Sequence, residues 1–129
     1  MLPQPIIEKH AGAFEWGTHD CVNLCADMIE YMTGSRPQFP AYSTAREAEK
    51  ILRGSTLGGM AENVLGEPVH PSQAQYGDIV LSAFIDRGQV LGIADPPVFW
   101  LKGESGLIPV EMNLAIKVFR CRRPQSPSS

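Results

Sequence analysis

Apolar residues fall every three or four positions in the first half of the chain and crowd into short runs in the second. Cys21, Leu24, Cys25, Met28, Ile29 and Met32 stand at i, i+3, i+4, i+7, i+8 and i+11, a single stripe on a helix. The spacing predicts a helix from Asp20 to about Thr33, with Asp20 or Thr18 as its cap and Gly34 closing it. A shorter helix is predicted over residues 4–12, with Ile6, Ile7 and His10 or Ala11 on one side. Pro37 and Pro40 enforce an extended connection. Thr44-Ala45-Arg46-Glu47 reads as a capping box opening a helix to about Arg53, and a further helix is predicted over 57–65, stopped by Gly66.

After Pro71 the pattern changes. Gly77-Asp78 introduces Ile79–Ile85, a run too apolar for a strand with one wet face. Strands follow over 89–94, 98–101, 107–110 and 116–121, separated by Asp86-Arg87-Gly88, Asp95-Pro96-Pro97 and 102–106. Short turns between closely spaced strands imply an antiparallel meander. Helices first and strands afterwards predict an α+β fold, with helices packed on one face of a small antiparallel sheet. Phe99 and Trp100 are adjacent, so on a strand they face opposite sides. The expectation is one large aromatic on the outer face, available to a partner.

Composition narrows the class. The chain has 129 residues, 43% of them hydrophobic, which fits one domain over residues 1–123 followed by a Pro/Ser-rich tail at 124–129. A formal net charge of -3 argues against a nucleic-acid binder driven by charge. Arg120-Cys121-Arg122-Arg123 reads as a solvated strand end. No run approaches the length of a membrane-spanning helix, and the start, Met1-Leu2-Pro3-Gln4-Pro5, does not read as a secretory signal. Three cysteines do not suggest a disulfide framework, so synthesis in a reducing cytoplasm is expected.

The candidate chemistry gathers at Phe14-Glu15-Trp16-Gly17-Thr18-His19-Asp20-Cys21. This turn delivers Cys21 to the first turn of a helix, where unpaired N–H groups and the helix dipole favour a thiolate. A cysteine nucleophile needs a base. The histidines are His10, His19 and His70: His10 reads as a side chain of the first helix, His19 lies two residues before Cys21, and His70 sits in a proline-flanked loop. The other reading of Cys21 is a small buried residue that begins the apolar stripe, and Cys25 is read as core. His19, Cys21, Cys25 and Cys121 supply metal-ligating types without the paired spacing of a zinc or iron–sulfur site, so neither metal nor cofactor is expected. Asp20 reads as a cap, Asp78 as the turn into the first strand, and Phe14 and Trp16 as a clamp over the helix entry.

These pieces resemble a known arrangement. Asp20-Cys21 at a helix start, Gly77-Asp78-Ile79-Val80 opening the first strand, and Val90-Leu91-Gly92-Ile93 on the second are similar to the papain-type cysteine peptidases in their minimal, NlpC-like form. Phe14-x-Trp16-Gly17-x-His19-Asp20-Cys21, Met32-Thr33-Gly34, Tyr42-x-Thr44-Ala45, Leu91-Gly92-Ile93 and Gly106-Leu107 resemble more closely a family encoded in bacteriophages and prophages and allied to the NlpC group. The resemblance spans roughly residues 14–121. It implies a papain-type fold and a setting at the distal end of a phage tail, with other tail-tip proteins as partners and the virion as location.

The chain departs from that pattern where chemistry is at stake. In the resembling peptidases the base stands two residues before the glycine of the second strand. That position is Val90, beside Gln89, and neither side chain takes a proton. Two functional readings follow. The first is a tail-tip structural or assembly component on a peptidase scaffold that has lost its active site. The second is a cysteine hydrolase that cleaves peptide bonds of host peptidoglycan during phage entry, with Cys21 as nucleophile and His19 or His70 as base. Trp16, Asp20 and Gln89 are the candidate ligand-binding residues around that site.

Overall fold

The computed structural model describes residues 2–13, 20–39, 57–84 and 88–121. Among these it forms three α-helices, α1 (Gln4–His10), α2 (Cys21–Thr33) and α3 (Leu57–Leu65). Five strands follow: β1 (Ile79–Phe84), β2 (Gly88–Asp95), β3 (Val98–Gly103), β4 (Gly106–Glu111) and β5 (Lys117–Phe119). All pairings are antiparallel and the sheet order is β4-β3-β2-β1-β5. The chain is thus α+β, as its pattern predicts. The helix predicted over 44–53 lies outside the described residues, as do Phe14, Trp16, His19 and the 124–129 tail.

Local chemistry accounts for the element boundaries. Pro5 sits in the first turn of α1, where a missing N–H costs nothing. The Asp20 side chain accepts from Asn23 N at 2.8 Å and so caps α2. Gly34 ends α2 in the left-handed region at φ 80°, with its N–H on Glu30 O, the conformation glycine adopts most cheaply. β5 is shorter than the predicted 116–121, because side chains take over from the ladder at its end. Cys121 N donates to Asp78 Oδ1 at 3.0 Å, and Arg120 Nη1 donates to Asp78 Oδ2 at 2.9 Å. Asp78 also accepts from Gln75 N. It does more than turn the chain into β1: it fastens the far end of the sheet.

The sheet has a core on each face. The first joins Leu24, Cys25, Met28 and Ile29 of α2 to Ile6 of α1, Met60, Ala61 and Leu65 of α3, and Ile79, Leu81, Leu91, Ile93 and Phe119 of the sheet. All three helices therefore pack on one face. Each fully buried Leu, Ile or Met there contributes about 1.5–3 kcal/mol relative to an exposed one. The second core gathers Val80, Val90, Ala94, Phe99, Leu101 and Val118, with Val69, Ala74, Met112 and Ala115 of the connecting segments packed on it. Phe99 is fully buried there, and Trp100 packs partly buried against the helix-side core. This corrects the expectation of an outward aromatic: the alternation holds, but connections cover the face opposite the helices. Met32 is a second correction. It ends the predicted stripe yet is 46% exposed, because α2 outruns the sheet there.

Among the described residues β4 is an edge strand of the sheet, and it carries Pro109 at its middle. An edge tolerates a residue without an N–H and is protected by it against further pairing.

Candidate functional site

Helix α2 lies along β2 with a definite register. The Cys25 thiol donates to Gly92 O at 3.6 Å. Met28 and Met32 reach Gly77, whose N–H pairs with Ala94 O. The helix and the strand therefore run in the same direction. Stepping back one turn from Cys25 covers about 6 Å of helix, or about two residues of strand, which sets Cys21 abreast of Val90. Gly92 is the close-approach point between β2 and β3: a Cβ there would stand 2.6 Å from Trp100 O and 2.8 Å from Leu101 Cδ2.

Cys21 is the first residue of α2, half-buried and packed against the helix-side core. Cys25 is fully buried. Burial pushes its thiol well up, and the charges of Cys21, Asp20, Cys121 and Asp27 push the same way. Cys121 packs against the same core, and burial together with Asp78 pushes its thiol up to about 11. Both therefore stay protonated and weakly nucleophilic at neutral pH. Among the described residues no group of three or more His, Cys, Asp or Glu side chains is arranged to hold a metal ion.

The residues that would serve Cys21 have other occupations. Val90 packs into the second core, across the sheet from the helices. Gln89 accepts from Gly58 N at 3.4 Å and so tethers the start of α3. Asp20 is buried and accepts from both Asn23 N and Asn23 Nδ2. His70 is exposed and caps the 3-10 turn at Pro71–Gln73, its Nδ1 accepting from Ser72 N at 3.1 Å. Its neighbours Val69 and Ala74 pack on the second core, so its loop lies on the face away from Cys21. Trp16 and His19 lie outside the described residues.

His10 is the residue sequence reasoning undervalued. It is fully buried at the end of α1, with Nε2 2.6 Å from Asp27 Oδ2 of α2. A carboxylate only accepts, so Nε2 carries the proton. Lys9 Nζ at 2.9 Å and Arg36 Nη1 at 2.5 Å complete the shell around Asp27. Arg36 also reaches Glu30 Oε1 and Asn23 Oδ1. Burial alone would raise the Asp27 carboxyl, but hydrogen bonds from His10, Arg36 and Lys9 hold it well below the ordinary carboxylate range. Asp27 lies six residues beyond Cys21, about 9 Å along the helix. Its network ties α1, α2 and the following segment together. The one legible signal was an aspartate inside a helix whose other face is apolar.

No curated protein matches the chain at a significant level. The model of one family, a domain of unknown function designated DUF6950, matches residues 2–121, and the chain belongs to that family.

Proposed function

We propose that this chain is a structural or assembly component of a bacteriophage tail tip, built on an NlpC-like, papain-type scaffold whose hydrolase site has lapsed. The observation that carries the loss of chemistry is at β2. Cys21 stands abreast of Val90, a side chain that takes no proton and packs into the opposite core, while Gln89 is engaged with the start of α3. The tail-tip setting rests on the resemblance of the Phe14–Cys21, Met32-Thr33-Gly34 and Leu91-Gly92-Ile93 motifs. Under this reading the partners are other tail-tip proteins, and Cys21 is a packing residue.

The second reading, an active peptidoglycan hydrolase, is favoured by one observation: Cys21 is only half-buried at a helix start, where a thiolate is stabilised. It rests on His19 as base. Two measurements separate the readings. Mass spectrometry of purified phage tails is expected to find the chain as a stoichiometric component, and its absence from particles contradicts the assembly role. Purified peptidoglycan is expected to stay intact with wild type and with Cys21→Ala alike. Muropeptide release that disappears in Cys21→Ala would establish the hydrolase instead.

A further inference from the structure

Residues 2–12 cross from α2 to the β3–β4 hairpin. Their helix, α1, is seven residues long, too short to hold its shape alone, so it depends on its seat. Of its apolar side chains and those that precede it, Leu2 and Ile6 are buried in the helix-side core. Beneath the remainder lies a cleft of about 240 Å³ between α1 and the β3–β4 side of the sheet. It is lined by Leu2, Ile7, Ala11, Trp100 and Leu107. Side chains that border such a gap forgo the dispersion contacts that close packing supplies.

Polar clasps hold both ends of α1. At one side His10 Nε2 and Lys9 Nζ stand 2.6 and 2.9 Å from Asp27 Oδ2 of α2. At the other, Lys102 Nζ of β3 donates to Gly12 O, and Ala11 O lies against the hairpin turn, 3.2 Å from where a Cβ on Gly106 would stand. The rest of the fold has supports of its own. Leu24, Cys25, Met28 and Ile29 of α2 share a core with α3 and the sheet. Asp27 keeps Arg36 Nη1 at 2.5 Å, and Trp100 keeps its Nε1–H on Asp95 Oδ2. We propose that residues 2–12 form a releasable strap. They swing off the sheet as one unit while α2, α3 and the sheet stay folded, and the opened state bares Trp100 and Leu107. Sub-global openings of this kind are cooperative and cost less than unfolding. The proposal is independent of the reading of Cys21.

Amide hydrogen exchange of the full chain, followed in increasing low concentrations of urea, tests this. Ile6 N and Ile7 N donate to Pro3 O. They and the last turn of α1 are expected to share one protection, about a hundredfold or more below that of β1 and β2. That protection is expected to fall only slightly with urea, because opening the strap exposes little surface. Lys102→Met removes one clasp and is expected to speed exchange across α1 about tenfold, leaving β1 and β2 unchanged. Amides of α1 that match the protection and urea slope of β1 and β2 would overturn the proposal, since they would open only with the whole fold. That wild-type result decides the matter even if Lys102→Met fails to fold. Protection that declines residue by residue from His10 to Ile6, unmoved by Lys102→Met, would overturn it too, as simple end fraying.

Discussion

Asp27 shows how one side chain sets a condition on the whole fold. A carboxylate 7% exposed is tolerated inside a protein only where cations and donors surround it, and here His10, Lys9 and Arg36 do so. The sign of its pH dependence follows. Its folded-state pKa is depressed, so its stabilisation is complete above the unfolded value of about 3.9 and is lost as pH falls toward the folded one. Asp27→Asn is expected to cost about 3 kcal/mol at pH 7. Urea unfolding across pH is expected to show the gap from wild type narrowing below about pH 4. A gap that stays constant down to pH 2 would show that the carboxylate's charge is not what the fold uses. None of this was visible from spacing, because His10 and Asp27 are 17 positions apart and meet only when two helices dock.

Among the elements, the meander depends on a glycine at one close approach. A methyl at Gly92 would meet the backbone oxygen of Trp100 and the Leu101 side chain, and a backbone atom cannot step aside as a flexible side chain can. Gly92→Ala is expected to destabilise by about 1–3 kcal/mol, measured as a lower urea midpoint with an unchanged slope. A neutral result would mean that β2 and β3 are free to separate there. This level of structure was largely legible in the sequence. The Cys21–Ile29 stripe, the Gly34 stop, the 57–65 helix and the first four strands follow from period and turn chemistry, which act within a few residues. Long-range partnerships were not legible. Asp78 read as a turn residue because its partners Arg120 and Cys121 lie 42 and 43 positions away. Phe99 read as a surface candidate because period alone does not say that connections cover the second face. Of the candidate site, the position of Cys21 at a helix start was legible. The engagement of Gln89 with α3 and of His70 with its own turn was not.

At the scale of the molecule, the described residues join three helices and a sheet through one core and close the other face of the sheet with its connections. Cys21, Cys25 and Cys121 all pack on the helix side, and the readings of function divide on whether the first of them is a nucleophile. The environment raises the other two thiols, so a fast thiol phase in the intact protein would report on Cys21 alone. Alkylation by iodoacetamide, followed by mass spectrometry at each cysteine across pH, tests this. A scaffold role predicts no fast phase at pH 7 and a Cys21 rate that climbs with pH as for an ordinary thiol. Rapid modification confined to Cys21, already at its plateau well below the usual cysteine value of about 8.5, would contradict it.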